Sequence, residues 1–588
     1  SLFDECRRHP PSFKLRCLTL DECLNGTEHV NGYPMSGSPG YPSTTYSKGV
    51  KGKYGIIKVE DGKRSIFHKE SPERWREMDV MLNSGVVPFI PFTKVLKDEA
   101  LPIAKILKPK TRGIEPVDII FNLHVRSKFG MLLAWLQEKN AFIPFKVGMN
   151  VYSPQWDTHV RRHVEIGSTG FDGDIKTQEC MIRSEIYDAL YEFTDRAFVA
   201  FGESEPTPHE RRARRAILSR LLHSYVMVGD SLYRTKFGNP SGNYITAFLC
   251  CFTSGVLLRC AFFHLAQKHD DRYFSSFAYN TQVRDSLCGD DNVVSRSSAV
   301  SHFFTGAKVS KTCSEMWGII YTDSSKSATY PPDKPFTQLS FLSNTTRESD
   351  EFQDMGVRYL PVLAESSKVK CVSFIRTTGG DGDPYVATVD NSNSLLRLVA
   401  TSGSASFHAT RDMLYSAFTK FGTVPHLLDY KTCMKKFRDD TLDLDSDQDI
   451  EATFIPQNIV TKVVEVLAAP SKILPSLARG LDMVGPRSTV RVSVSDLRLT
   501  HPIDLQSAII KLQARTLLIR ETVQPDDYLA SEVFSRCGIK SSHPIIVRQD
   551  GLYYDVLEGN GRVKALLDAD CSSLAIDVEC LLPLEGAL

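Results

Sequence analysis

The sequence predicts an α+β protein with more than one domain, and three observations carry that expectation. The chain has 588 residues, and a single hydrophobic core stops growing at roughly 250–300. Segments with helical periodicity surround a stretch, 226–345, of short apolar runs punctuated by Gly and Asp, which reads as strands and turns. Composition then breaks at 439–451, where DDTLDLDSDQDIE is acidic and polar.

Residues 1–165 mix turns and strands. The stretch NGYPMSGSPGYPSTTYSKG (31–49) is dense in Gly, Pro and Ser and predicts a loop. From 117 to 140, apolar residues recur at i, i+3 and i+4, which predicts one helix or two. Residues 181–225 also read as helical, and HERRARRAILSRLLHSY (209–225) is a basic amphipathic helix. YITAFLCCFTSGVLL (244–258) carries no charge. It is shorter than the ~20 residues a membrane span needs and Arg259 follows at once, so a buried helix is expected. Residues 355–430 are expected to be mainly helical. In the acidic break, Asp445, Asp447 and Asp449 imitate a calcium loop. Ile450 stands where Gly is needed and Pro456 where Glu is needed, so a solvated linker over 441–490 is expected instead.

Charge and cysteine usage exclude several classes. Seventy Lys+Arg balance 70 Asp+Glu, which excludes a coat-like nucleic-acid binder but not an enzyme with local basic clusters. The 14 cysteines form no C-x-x-C pair, so zinc-ribbon and thioredoxin motifs are absent and free thiols are expected. SLFDECRRHP has no apolar core and does not read as a signal peptide.

The sharpest chemical signal is Ser286-Leu287-Cys288-Gly289-Asp290-Asp291-Asn292-Val293-Val294, two adjacent carboxylates at a predicted hairpin tip. Such neighbours repel unless a cation sits beside them, and hard oxygens suit Mg²⁺ or Mn²⁺. An ordinary surface turn is the bland alternative. Upstream, Gly170 to Glu179 contains Asp172 and Asp174. Two-metal nucleotidyl transfer needs carboxylates from separate strands, and Asp174 with Asp290 meets that need. Asp172 is its rival, since both would face one side of a strand. Between the acidic centres, Gly238-Asn239-Pro240-Ser241-Gly242-Asn243-Tyr244-Ile245-Thr246 opens the apolar helix. Small residues there let backbone N–H groups approach phosphate or ribose.

With these residues in place, the chain resembles viral RNA-dependent RNA polymerases of the picornavirus-like order, in motif order as well as content, over roughly residues 30–345. Ser38-Pro39-Gly40-Tyr41-Pro42 resembles the loop at the template entrance. Lys97-Asp98-Glu99 with Lys105, Lys108, Lys110 and Arg112 resembles the basic fingers motif over the triphosphate. Asp174 matches the first metal-binding aspartate, and Gly238, Ser241, Gly242 and Thr246 match the loop that holds template and ribose. Gly289-Asp290-Asp291 is the family signature, with Cys288 where Tyr is commonest. Tyr321-Thr322-Asp323-Ser324-Ser325-Lys326 resembles the segment whose lysine is the proposed general acid, and Phe341-Leu342 the start of the primer grip.

The resemblance implies a right-hand fold: N-terminal segment and fingers (1–165), palm with an antiparallel sheet and inserted fingers helices (166–345), thumb (346–440), then the linker. It implies addition of rNMPs to an RNA 3′ end by two-metal phosphoryl transfer. Asp174, Asp290 and Asp291 would hold Mg²⁺, for which Mn²⁺ can substitute, and Lys326 would protonate pyrophosphate. The implied partners are template and primer RNA, rNTPs, other viral replication proteins and a protein primer. The implied setting is the host cytoplasm, in replication complexes that reach membranes through those partners. Arg211, Arg212, Arg214, Arg215 and Arg220 offer a further template contact, with an exposed helix face as the alternative.

Two departures from the family pattern are coupled. Glu179 stands where Asp is usual and Cys250 where Asn is usual, positions that together recognise ribose in the family. Ribose selection is therefore expected to rest on Ser241, Thr246 and Glu179. Ser343-Asn344 follows Phe341-Leu342 where Lys-Arg is common, leaving Arg347 as the candidate charge. The rival functions are a reverse transcriptase, a catalytically impaired RNA-binding scaffold, and a cysteine protease on Cys288, which Ser286 disfavours because Gly is needed there. Residues 491–588 fall outside this resemblance. The run from His543 through Leu566 reads as hairpin, loop and helix and resembles a ParB/sulfiredoxin-like domain, in which Gly559, Gly561 and Arg562 would bind nucleotide phosphate.

Overall fold

The computed structural model describes residues 1–47, 49–97, 111–373 and 384–439, together with the backbone of five strands between 487 and 581. Lys105, Lys108, Lys110, Gly559, Gly561, Arg562 and linker residues 441–486 lie outside the described residues. Two units are distinguished. One comprises Ser1–Ile90, Leu96–Ser224 and Thr235–Leu467, the other Pro91–Val95, Tyr225–Arg234 and Ala468–Leu588.

In the first unit, helices α1 (Ile119–Glu138) and α2 (Gln155–Val164) precede strand β1 (Thr169–Ile175). Helices α3 (Ser184–Phe201) and α4 (Pro208–Leu222) follow. α4 starts where the sequence says it should: the Thr207 side chain accepts the Glu210 N–H, Glu210 reaches back to Thr207, and Pro208 sits in the first turn. Next come α5 (Thr246–His269), β2 (Val283–Cys288), β3 (Asp291–Arg296), α6 (Gly306–Trp317), β4 (Tyr321–Thr322) and β5 (Lys334–Pro335).

The strands form one antiparallel sheet in the order β4-β1-β3-β2, with β5 on the far end of β1. β3 lies against β1 with Asp291 opposite Asp174 and Asn292 opposite Gly173. A side-chain lock holds that register. Asn292 Nδ2 donates to the Gly173 and Asp290 carbonyls (both 3.1 Å), and its Oδ1 accepts the Tyr321 hydroxyl at 2.7 Å. Gly173 is required, because a Cβ there would lie 2.0 Å from the Tyr321 hydroxyl oxygen.

α2 covers one face of the sheet, where Trp156 and Val160 pack with Met149, Val293, Phe336, Leu339 and Phe341. His163 ties the hairpin strands together, its ring nitrogens lying 2.9 Å from Ser295 Oγ and 2.7 Å from Ser286 Oγ. Burial pushes the His163 pKa well down, so it bonds as neutral imidazole. α5 is buried along most of its length, as its uncharged run predicted. By length and composition it is the one helix among the described residues that could cross a membrane, yet 67% of its apolar window is buried inside the fold.

Three sequence expectations need correction. The α4 arginines do not form one open basic face: Arg214 and Arg220 are buried, whereas Arg212 and Arg215 are exposed. Arg214 is fully buried over the Phe198 ring, Arg220 donates to the Pro88 and His223 carbonyls, Arg211 pairs with Asp195, Arg212 reaches the Asn83 carbonyl, and Arg215 covers Tyr191. Second, residues 359–363 form a strand, β7 (Tyr359–Leu363), paired with β6 (Asn344–Glu348). Cross-strand pairing decides this; the rest is mainly helical as expected, from Glu365–Ser373 through α7 (Pro384–Ala400), α8 (Ser404–Lys420) and α9 (Tyr430–Arg438), around Leu360, Leu396, Phe407 and Leu414. Third, β8 (Arg487–Ser493) begins inside the expected linker.

In the second unit, β8 joins β9 (Leu497–Leu499), β10 (Ile546–Asp550), β11 (Tyr553–Glu558) and β12 (Ala575–Leu581) in the order β8-β12-β10-β11-β9. β10 and β11 form the hairpin read from the sequence. Pro91–Thr93, Tyr225–Val228 and Ser231–Arg234 form a three-stranded sheet.

One buried ion cluster joins the N-terminal helix Leu2–Cys6, α5 and β2. Arg259 lies 2.7 Å from Glu5 and 2.8 Å from Asp285, over the Tyr279 ring. Removing the guanidinium strands the buried Asp285 carboxylate and leaves Glu5 to Arg162 alone, a loss of about 3–5 kcal/mol. Arg259→Met is therefore expected to lower the urea midpoint of unfolding substantially, and an unchanged midpoint would contradict the role given to this cluster.

Candidate active site

The β2–β3 turn carries Gly289 and Asp290 at its tip. Gly289 has φ +71°, the left-handed region that glycine tolerates. α5 holds the turn from behind: Cys251 Sγ accepts the Gly289 N–H (3.0 Å) and Ser254 Oγ donates to the Gly289 carbonyl (2.8 Å). Gln178 Nε2 binds both Ser254 Oγ (2.7 Å) and the Cys250 carbonyl (2.9 Å), so the segment after β1 hangs on the same helix. Cys251, Ser254, Gln178 and Asn292 were not singled out in the sequence. Only their partners' backbone atoms identify them, and no local pattern encodes those.

The three carboxylates occupy different environments. Asp174 is largely buried and lies 3.0 Å from Lys326 Nζ. Asp290 is exposed at the tip, yet the protein around its carboxyl and the nearby Asp174 charge raise its pKa. Asp291 is pushed up to about 7, first by burial and then by the Asp290, Asp172 and Asp174 charges, and one oxygen accepts the Leu342 N–H at 2.7 Å. Among the described residues no three metal-ligating side chains converge on one point. The Asp174 charge thus reaches both Asp290 and Asp291, and Asp291, opposite Asp174 across the strands, is the less exposed of the two. Two hard carboxylates whose counter-charge is a mobile ammonium fit a divalent cation.

Asp172 is not a free ligand. One oxygen accepts the Ser324 N–H and the other the Ser340 N–H, both at 3.0 Å. It anchors the chain on either side of Lys326 instead. Asp323 builds the Lys326 turn, accepting the Ser325 and Ser327 N–H groups. Lys326 itself has φ +56°, a strained conformation kept where the surroundings impose it.

The Gly238–Thr246 loop sits next to Glu179. Asn239 N–H donates to the Glu179 carbonyl (2.7 Å), and Asn239 Nδ2 faces Cys250 Sγ at 3.8 Å. An amide therefore lies beside the cysteine that replaces the usual asparagine. Ser241 exchanges hydrogen bonds with Glu115, and Thr246 donates to the Pro240 carbonyl. Glu179 is exposed, and its charge acts on Asp290 and on Cys250, whose thiol burial pushes up to about 12.

Other predicted residues are placed less directly. Ser38–Tyr41 is docked on the start of α1: the Pro39 carbonyl accepts the Ile119 N–H, and Ser43 and Arg74 bind Asp118. Lys97 and Arg112 meet through a backbone bond of 2.8 Å. Phe341 is 2% exposed, so its side chain is core rather than an RNA contact, and Leu342 contributes its N–H to Asp291. Arg347 donates to the Thr401 carbonyl and pairs with Glu351, so it does not replace the missing primer-grip charge.

Two outcomes follow for stability. Asp172→Asn removes the charge from two backbone bonds and is expected to cost about 2 kcal/mol, whereas Asp174→Asn should stay within about 0.5 kcal/mol, as read by thermal unfolding in EDTA. A larger loss in Asp174→Asn would reverse the assignment. Asp291, raised above its unfolded value, favours the fold below about pH 4. That contribution is lost as pH climbs to about 7. The melting temperature in EDTA should fall across that window, and less steeply in Asp291→Asn, which stays uncharged.

The comparisons with known proteins bear on the family and the fold. The model of the family "Viral RNA-dependent RNA polymerase" matches residues 2–416. The RNA1 polyprotein of Beet ringspot virus is 28% identical over 324 residues, 53% of this chain and 14% of that polyprotein. The replicase polyprotein of Drosophila C virus is 27% identical over 355 residues, 58% of this chain and 20% of that one. The chain thus spans a small part of the curated relatives it matches. Among solved structures, a sicinivirus 3Dpol RNA-dependent RNA polymerase superposes with a TM-score of 0.59 at 21% identity, covering 74% of this chain and 83% of that one, which shows the right-hand polymerase fold. The chain belongs to the viral RNA-dependent RNA polymerase family.

Proposed function

We propose that this chain extends an RNA 3′ end on an RNA template, with Asp174 and Asp290 holding the divalent metal ions that the family uses. The observation that supports this most is the β1–β3 register, which pairs Asp291 with Asp174 and so leaves the turn residue Asp290 within reach of the Asp174 and Lys326 charges. Mg²⁺, or Mn²⁺ in its place, would supply charge neutralisation at the triphosphate and acidify the primer hydroxyl. Asp291 supports the pair from behind.

The chain's own groups do the rest. Lys326 leaves Asp174 and gives its Nζ proton to the pyrophosphate oxygen as the bond to the α-phosphate breaks. Its exposed stem permits that swing. Lys97, Lys105, Lys108, Lys110 and Arg112 neutralise the triphosphate. Ser241, Gly242, Thr246 and Glu179 orient the ribose, with Cys250 at the edge of that pocket. Ser38, Pro39, Gly40, Tyr41 and Gly238 guide the RNA, with Phe341 and Leu342 acting through the hairpin. The reverse-transcriptase and scaffold readings are not favoured, because the family match and the paired carboxylates support RNA synthesis. By analogy with the polyprotein relatives, other viral replication proteins, a protein primer and host membranes reached through them are the proposed partners in the host cytoplasm. For 491–588 a nucleotide-phosphate module on Gly559, Gly561 and Arg562 is the working reading.

Single-nucleotide extension on a primed template is the direct test. Asp290→Asn is expected to lose at least about 100-fold in rate, and equal rates would end this reading. Lys326→Gln should lower kcat with KM nearly unchanged, and Lys326→Arg should restore part of the loss. For ribose, Cys250→Asn should change the rNTP/dNTP preference several-fold, and an unchanged preference would remove position 250 from that pocket.

A further inference from the structure

Away from the hairpin tip, a cavity of about 330 Å³ lies between the N-terminal segment, α2 and the start of β2. Four arginines line it, Arg8, Arg161, Arg162 and Arg284, against two acids, Glu5 and Glu165. Glu5 is already shared, one oxygen 2.5 Å from Arg162 and the other 2.7 Å from Arg259. Arg161 spends its charge on Asp157 at 2.5 Å. Arg8 and Arg284 make no ion pair among the described residues; Arg284 reaches only the Asn280 and Val283 carbonyls, through one nitrogen. Burial, then the Arg162 and Arg8 charges, push the Arg284 pKa down. A folded chain that crowds unpaired guanidinium groups in this way gains from an anion.

The same cavity carries a stacking surface. Phe142 is 49% exposed and lies on His9, ring centroids 5.6 Å apart at 18°. His9 is fixed from the other side, its carbonyl accepting the Trp135 indole N–H at 2.8 Å. An exposed aromatic face beside convergent cations is the chemistry that receives a base and its phosphates. The volume lies at the lower end of the range for small-molecule pockets, which suits a single nucleotide and not a polymer.

We propose that this cavity is a second nucleotide-binding site, separate from the polymerase centre, in which Arg8 and Arg284 hold the phosphates of a ribonucleotide and Phe142 stacks on its base. Because the site needs no carboxylate pair, it binds without divalent metal. Its test is isothermal titration of the full chain in EDTA with ATP, GTP and inorganic pyrophosphate, beside the variants Arg8→Gln/Arg284→Gln, Phe142→Ala and Arg112→Ala. The double variant should lose nucleotide binding tenfold or more, with Arg8→Lys/Arg284→Lys restoring most of it. Phe142→Ala should weaken ATP and GTP several-fold and leave pyrophosphate unchanged. Arg112→Ala can weaken binding at the polymerase centre but should leave the Arg8- and Arg284-dependent binding in place. A double variant that binds like wild type overturns the proposal, as does complete loss in Arg112→Ala, which would place all binding at the fingers motif. Pyrophosphate binding as tightly as nucleotide, with Phe142→Ala silent, would overturn the nucleotide assignment and leave a simple anion site. Photo-crosslinking of 8-azido-ATP to the peptide containing Phe142 gives a readout independent of polymerase activity, so its result stands whatever the extension assay shows.

Discussion

The antiparallel register of β1 against β3 is the constraint from which the rest of the site follows. A slip of one residue would turn Asp174 to the opposite face of the sheet from its present partners. Asn292 prevents that slip by bonding the Gly173 carbonyl on one strand and the Asp290 carbonyl on its own, while Tyr321 fills the space that Gly173 leaves open. One amide, one phenol and one missing side chain therefore hold the carboxylates in place.

The electrostatic design follows from that placement. Acidic groups are concentrated at the hairpin tip, where the fold raises Asp290 and Asp291 and opposes Asp174 with Lys326. Asp172 is withdrawn from this pool, since backbone N–H groups occupy both of its oxygens. Arginine is used in the opposite way. Along α4 it is spent on carbonyls, aromatic faces and Asp195, and at Arg259 on buried acids, so positive charge cements the unit. The balanced net charge is thus a partition rather than an absence of electrostatics. Where guanidinium groups make no ion pair among the described residues, at Arg8 and Arg284, a ligand is the natural complement.

Much of this was legible in the sequence. Period and composition marked α1, the α3–α4 region and α5, while the start of α4 at Pro208 is set by the Thr207–Glu210 capping box. The hairpin around Gly289-Asp290-Asp291 and the paired acidic strand were read from residue types alone, because a tight turn needs glycine and metal chemistry needs carboxylates. The strand at Tyr359–Leu363 was not legible, since a short apolar run becomes a strand only when a partner such as Asn344–Glu348 is beside it. The arginines of α4 divide for a related reason, Arg214 and Arg220 buried and Arg212 and Arg215 exposed. Periodicity shows that charges share a face but not that the face is covered.

What the amino-acid sequence determined by itself was the inventory: which acids, glycines and lysine stand in which order, and hence the family and its chemistry. What only the tertiary structure decided was allocation. It gave Asp172 to the Ser324 and Ser340 N–H groups and Asp174 to the Lys326 ammonium. It moved Phe341 into the core and set Asn239 against Cys250. These choices depend on contacts between residues far apart in the chain, up to 168 positions for Ser340 and Asp172, and such contacts exist only once the backbone has closed on itself.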